Sequence, residues 1–162
     1  MMKRMLLPLT LALLLLLTAC GGTNDADNGE LSGIANPWTD CETLDEAVAL
    51  AKFDITLPDD IKGFNVAVYR VMPEQMLEII YQSGNAELRI RKAPTKGNGE
   101  DISGDYNTYS DTFPLDSVNA TIRGNDDTAS LATWTDGEYS YAVTADPGID
   151  VGTMQAIVAA TK

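Results

Sequence analysis

The chain has 162 residues, of which 24 are acidic and 11 are Lys or Arg, so its net charge at pH 7 is −13. An acidic surface of this kind repels nucleic acid, and we expect no DNA or RNA partner. The sequence contains no histidine, which excludes Ser-His-Asp and Cys-His catalysis as well as His-ligated zinc.

The first twenty residues have the composition of an export signal. Lys3 and Arg4 precede an apolar run over residues 5–17, which is shorter than the roughly 20 residues of a membrane-spanning helix. The run ends in Leu-Thr-Ala-Cys, which resembles the lipobox of bacterial lipoproteins, a class in which the cysteine receives a diacylglyceryl group. We therefore predict that Cys20 is lipidated and that its acyl chains, such as palmitate, hold the protein on the extracytoplasmic face of the cell membrane.

These features divide the chain into three parts. We expect residues 1–19 to be a lipoprotein signal peptide and residues 20–35 to be the lipidated cysteine followed by a flexible acidic tether. Residues 36–162 are then a single globular domain. With Cys20 lipidated, Cys41 is the one remaining thiol. We expect it to be buried like a small hydrophobic residue, and the alternatives are an intermolecular disulfide or a reactive thiol.

A helix is predicted near the start of this domain. Thr43 and Glu46 form a capping box, and apolar residues at helical spacing follow them over residues 44–52. Trp38 lies just upstream, and we expect it to fold back as part of the core or as its cover.

Alternating apolar residues predict a series of antiparallel strands after the helix. They cover about residues 64–69, 76–82, 88–91, 107–113, 118–123, 129–135 and 139–145. Asp136-Gly137 predicts a two-residue hairpin turn, and Asp150 predicts the start of a C-terminal helix. We predict an α+β fold in which an antiparallel sheet of six to seven strands carries the N- and C-terminal helices on one face.

The acidic segment, residues 100–111, is the stretch most typical of a functional site. It offers oxygen ligands for a cation such as calcium, from Glu100, Asp101, Asp105, Asn107 and Asp111. It lacks the spacing of an EF-hand loop, and the preceding Gly97-x-Gly99 lacks the rest of a phosphate-binding fingerprint. Two interpretations remain open, a weak cation site and a solvated or partner-facing connection between strands. We expect no other cofactor.

A second candidate site is the basic group of Arg89, Arg91 and Lys92. We expect these residues to project from the solvent face of a strand, where they either contact an anionic ligand or partner or discourage edge-to-edge association. The six tyrosines either form an aromatic surface for a sugar or peptide or pack as ordinary strand residues. No catalytic motif is present, and we predict no enzymatic activity.

Three stretches of the domain carry a resemblance to known proteins, namely NPWTDCETLDEAVALAKF, RIRKAPTKGNGEDISGDYN and LATWTDGEYSYAV. Together with the lipobox and the tether, they resemble small surface lipoproteins of Gram-positive-type bacteria that carry an uncharacterised α+β domain. A similar domain is attached to some membrane-bound anti-sigma factors. The resemblance covers about residues 36–162 and implies a binding, sensing or accessory module that meets an envelope protein or polymer. The alternative is a calcium-dependent or metal-assisted module that uses the acidic segment.

Overall fold

The computed structural model describes residues 36–97, 100–115 and 118–162. The predicted signal peptide and tether lie outside these residues. Within them the chain forms eight strands and two helices: β1 Thr39–Cys41, α1 Leu44–Ala51, β2 Asn65–Met72, β3 Met76–Ser83, β4 Ala86–Pro94, β5 Asp111–Phe113, β6 Thr121–Asn125, β7 Thr128–Thr135, β8 Tyr139–Asp150 and α2 Val151–Ala160.

All eight strands belong to one antiparallel sheet with the order β1-β2-β3-β4-β8-β7-β6-β5. The last strand, β8, lies between β4 and β7 and so joins the first half of the chain to the second. The predicted α+β class is confirmed. The predicted number of six to seven strands is wrong, because β1 adds an eighth by pairing with β2 from Thr39↔Val71 to Cys41↔Tyr69. A three-residue strand is too short to show an alternating pattern in the sequence.

Local capping interactions place both helices. The Thr43 hydroxyl accepts a hydrogen bond from the amide N–H of Glu46 at 3.2 Å, and the Glu46 carboxylate accepts one from the N–H of Glu42 at 3.0 Å. Helix α1 ends at Ala51, one residue earlier than predicted, because Lys52 adopts the left-handed conformation with φ 67°. The Asp150 carboxylate accepts a hydrogen bond from the N–H of Thr153 at 2.9 Å, as expected for the first turn of α2.

The hydrophobic core contains one set of alternating strand residues and the buried faces of the helices. Ile79 lies opposite Ile90, Ile90 lies opposite Val143, and all three are fully buried. Helix α1 contacts β1, β2 and β3, whereas α2 contacts β7 and β8. The buried residues of both helices belong to the same hydrophobic cluster as these strand residues: Ala47, Ala51, Met154, Ile157 and Val158.

The strand residues that alternate with these core residues point to the other face of the sheet, away from the helices, because side chains along a strand alternate with a period of two. We call this the polar face of the sheet. Its central members are Arg70, Glu78, Arg89, Arg91, Thr133 and Thr144.

Two local predictions need correction. The strand predicted over 107–113 forms only at Asp111–Phe113, because the residues before it hydrogen-bond to one another. In the turn between β7 and β8, the N–H of Asp136 donates to the carbonyl of Tyr139 at 3.2 Å. Gly137 and Glu138 are therefore the two residues inside the turn, one position later than predicted.

Candidate functional site

A buried carboxylate lies at the centre of the polar face. Glu78 on β3 lies directly opposite Arg70 on β2 and Arg91 on β4, and its side chain is completely inaccessible to solvent. One Glu78 oxygen accepts a hydrogen bond from Arg70 Nε, and the other accepts one from Arg91 Nε at 2.5 Å. Burying a charge is costly unless it is paired and hydrogen-bonded in this way. The three side chains therefore form one ionic unit, the Arg70–Glu78–Arg91 triad.

Trp38 covers the two arginines of this triad. Its ring centroid lies 4.7 Å from the Arg70 guanidinium carbon and 5.9 Å from that of Arg91. Planar guanidinium groups stack favourably on indole rings. Trp38 thus packs on the polar face, and the expectation that it belongs to the core or its cover is corrected accordingly.

Arg91 also attaches the acidic segment to the sheet. Its Nη1 atom donates to the carbonyl oxygens of Ile102, at 3.0 Å, and Ser103, at 2.5 Å. Gly104 follows with φ +65°, and a Cβ atom there would lie 2.8 Å from Arg91 Nη1. Glycine is therefore favoured at this position both by its backbone conformation and by the close approach of Arg91.

The polar residues of the acidic segment hydrogen-bond within the segment itself. The Asp101 carboxylate accepts from the N–H of Ser103 at 2.8 Å. The Asp105 carboxylate accepts from the N–H of Asn107 at 2.7 Å and from the hydroxyl of Tyr109 at 2.5 Å. Burial and this hydrogen bond raise the pKa of Tyr109. The Asp, Asn and Ser residues thus order the connection between β4 and β5, which is the usual structural use of such side chains in turns.

A cavity of about 690 Å³ lies between the acidic segment and strands β4, β7 and β8. We call it the polar cavity. The sheet contributes Glu87, Arg89, Ser130, Thr144 and Asp146, and the segment contributes Asp105, Tyr106, Asn107 and Tyr109. Its volume lies within the range of about 300–1,000 Å³ that is typical of ligand pockets.

The structure does not bring the five predicted cation ligands together. Glu100 and Asp101 line a separate cavity of about 410 Å³ beside Trp38, whereas Asp105 and Asn107 line the polar cavity. Asp111 lies on β5, opposite Gly124 of β6. No group of three or more Cys, Asp or Glu side chains in the described part of the chain is arranged to hold a metal ion.

The three predicted basic residues do not share one surface, so that part of the prediction is wrong. Arg89 lines the polar cavity and pairs with the Glu87 carboxylate at 2.6 Å, and Arg91 belongs to the triad. Lys92 points to the helix-covered side, where its side chain is 4% exposed and its Nζ lies 4.2 Å from the ring centroid of Tyr139. The error has a simple cause, since consecutive strand residues point to opposite faces.

The surroundings of Lys92 disfavour its charged form. Burial lowers the pKa of its ammonium group, and this effect exceeds the opposite influence of Asp54, Asp136 and Glu138. The Asp54 carboxylate lies 3.8 Å away on a side chain that is 94% exposed, so it compensates only weakly for burial.

Cys41 lies half-buried on the edge strand β1. Burial raises the pKa of its thiol, and the nearby carboxylates of Glu46 and Asp40 act in the same direction. A raised pKa disfavours the thiolate that disulfide exchange requires.

Sequence reasoning missed Glu78. One signal was available, because Glu78 is the charged residue in the otherwise apolar run Met76–Ile80. Its partners Arg70 and Arg91 could not be assigned from the sequence, since they depend on the register of two strand pairs.

Comparison with known proteins adds no assignment. No protein-family model, curated protein or solved structure matches this chain. Among the helices that the structure describes, none combines the length and apolar character needed to cross a membrane.

Proposed function

We propose that this protein is a lipid-anchored lipoprotein of the extracytoplasmic membrane face that acts as a non-enzymatic binding, sensing or accessory module. In this proposal both helices cover one face of the sheet, and the polar face binds a component of the cell envelope. The apolar run that ends in Leu-Thr-Ala-Cys at Cys20 supports the lipid anchor.

The polar cavity carries the proposal. It lies between a sheet and a segment that is held in place by Arg91 and by its own side-chain hydrogen bonds. A site that is ordered before binding loses little conformational entropy when a ligand enters. The polar lining supplies the directed hydrogen bonds on which ligand orientation and specificity depend.

The side chains of the cavity favour binding over catalysis. Arg89 is paired with Glu87, Arg91 is paired with Glu78, and Asp105 accepts the Tyr109 hydroxyl hydrogen bond. The chain has no histidine. A nucleophile with a neighbouring base is the usual sign of covalent catalysis. The lining hydroxyl that donates to a carboxylate is that of Tyr109, and its raised pKa disfavours the phenolate that nucleophilic attack requires.

The proposal is tested by co-sedimentation of the purified full-length protein, in mild detergent, with insoluble envelope fragments of the cells that produce it. Tyr106 and Val66 are exposed large hydrophobic residues, at 96% and 40% exposure, and Tyr106 alone of the two lines the cavity. We expect Tyr106→Ser to reduce the bound fraction and the matched control Val66→Ser to leave it unchanged. No sedimentation of the unmodified protein, or equal sedimentation of all three proteins, would contradict the proposal.

A further inference from the structure

We propose that the polar cavity binds a neutral saccharide of the cell envelope. This inference rests on the proposed binding function and specifies the chemical class of its ligand.

The uncharged polar groups of the cavity match sugar hydroxyls. Ser130 and Thr144 of the sheet present hydroxyl groups, and Asn107 presents a side-chain amide. Each of these groups contains both a donor and an acceptor, as does every sugar hydroxyl. A polyhydroxylated ligand therefore leaves few of the cavity's polar groups without a partner, which is the condition for favourable binding in a polar site.

The charges of the cavity argue against an anionic ligand. Its lining contains three carboxylates, Glu87, Asp105 and Asp146, against the guanidinium groups of Arg89 and Arg91. Both guanidinium groups already pair with carboxylates, at 2.6 Å and 2.5 Å. A phosphate or uronate would meet an excess of negative charge in a protein whose net charge is −13. Carboxylates are, by contrast, strong acceptors for the hydroxyl protons of a neutral sugar.

The lining also argues against a lipid or another apolar ligand. Among the described lining residues, Ala145 is the one with an aliphatic side chain. Apolar ligands are held in pockets lined mainly by hydrophobic side chains. The cavity has too little such surface to replace the hydration of a fatty ligand.

Tyr106 and Tyr109 supply the flat apolar surface that a sugar ring needs. The Tyr109 hydroxyl is fixed by Asp105 at 2.5 Å, whereas the Tyr106 side chain is 96% exposed. A tyrosine at a rim offers a rigid ring with an apolar face and a polar tip. The C–H face of a pyranose stacks on such a ring while its hydroxyls reach the polar groups inside.

The walls of the cavity are close-packed around glycines, which fixes its shape. A Cβ atom at Gly104 would lie 2.8 Å from Arg91 Nη1, and one at Gly148 would lie 2.7 Å from Ser130 Oγ. The backbone approaches these two side chains more closely than any other residue type allows, so the polar groups are held in place before a ligand binds.

The experiment uses three preparations of the same envelope fragments: untreated, digested with protease, and oxidised with periodate, which cleaves the vicinal diols of sugars. Full-length protein in mild detergent is sedimented with each preparation. We expect binding to survive protease and to disappear after periodate. We also expect Asp146→Asn and Tyr106→Ser each to weaken binding to protease-treated fragments about tenfold, because each substitution removes one good contact with the ligand. The control Val66→Ser is expected to leave this binding unchanged.

Each other result has a defined meaning. Binding that depends on Tyr106 but disappears after protease identifies a protein partner, which overturns the saccharide assignment and leaves the proposed binding function in place. Binding that resists both treatments also overturns the saccharide assignment. The absence of Tyr106-dependent binding to untreated fragments overturns both proposals.

Discussion

Glu78 shows how one residue can organise a whole face of the sheet. Its carboxylate is fully buried between guanidinium groups whose side chains are 24% and 13% exposed. Replacement by glutamine preserves the shape but leaves two arginines without their counter-charge. Loss of one partner from a buried ion pair costs about 3 kcal/mol. We therefore expect Glu78→Gln to lower the free energy of unfolding by about this amount, as measured by urea denaturation monitored with tryptophan fluorescence.

The exposed Glu74 in the β2–β3 turn provides the matched control. Glu74→Gln makes the same chemical change without removing a buried charge, and we expect its effect to stay within about 0.5 kcal/mol, as is usual for surface substitutions. If the two variants were equally stable, the triad would contribute no net stability.

Lys92 represents the opposite case, a buried charge without an adequate partner. Burial lowers its pKa below the ordinary value of 10.5, so the folded state holds this proton less firmly than the unfolded state. At neutral pH the charge therefore costs stability, and the cost disappears as pH rises through the folded-state pKa towards 10.5. We expect Lys92→Met to raise the free energy of unfolding by about 1 kcal/mol at pH 7, because a long apolar side chain replaces a buried ion.

The pH dependence distinguishes this explanation from simple repacking. As pH rises from 7 towards 10.5 the gain from Lys92→Met is expected to shrink, since the folded wild-type protein releases the Lys92 proton at a lower pH than the unfolded chain. Tyr81, whose pKa burial raises to about 12, titrates above this window in both proteins. Chemical denaturation of both proteins at several pH values measures the difference. A gain that stays constant across the range would assign the effect to packing instead.

Residue-level prediction from the sequence succeeded where an interaction is local. Thr43 and Asp150 were predicted as helix caps, and both form the expected bonds, because a capping contact spans only three residues. Glu78 and Lys92 depend on neighbours up to 38 positions away, as in the pair between Lys92 and Asp54. Their roles become visible only when the strand register is known.

At the level of elements, the position of the acidic segment on the sheet depends on Gly104. Gly97 and Gly104 both have φ +65°, but a Cβ atom at Gly97 would meet nothing within 4 Å, whereas one at Gly104 would approach Arg91. Alanine costs about 1 kcal/mol at either position because of the left-handed backbone. We expect Gly104→Ala to cost more and also to increase amide hydrogen exchange across residues 101–110, because it displaces Arg91 from the carbonyls of Ile102 and Ser103.

Gly97→Ala is the control for backbone strain without displacement of Arg91. Its hydrogen-exchange pattern over residues 101–110 is expected to match that of the unmodified protein. Equal exchange in the two variants would mean that Arg91 does not hold the segment on the sheet.

The elements differ in how far the sequence could predict them. The meander β2–β4 and the hairpin β7–β8 were predicted well, because long strands with one buried face show clear alternation. The acidic segment connects β4 with β5, which is one of the two interpretations that its sequence left open. Its position across the polar face could not be predicted, since that position depends on Arg91 and on the pairing of β4 with β8.

The whole domain is arranged around β8. This strand pairs with β4 through Leu88↔Ala145 and with β7 through Thr133↔Ala142, so it completes the core on one face and the polar cavity on the other. The pairing of β4 with β8 joins residues that are 45 to 59 positions apart, from Pro94↔Tyr139 to Glu87↔Asp146. Long-range pairing of this kind carries a large loop-closure cost and favours slow folding of the whole domain.

The attachment of this molecule to the membrane is expected to depend on Cys20 alone. Its net charge of −13 repels anionic headgroups, so electrostatic attraction to the lipid surface does not supply the attachment. The two cysteines of the chain allow a matched comparison, in which cells producing the full chain are labelled with an alkyne analogue of palmitate. We expect label on the unmodified protein and on Cys41→Ser, but none on Cys20→Ser. Label retained by Cys20→Ser, or absent from the unmodified protein, would refute the anchor. If Cys41→Ser lost the label and Cys20→Ser kept it, the lipidated residue would be Cys41 on β1.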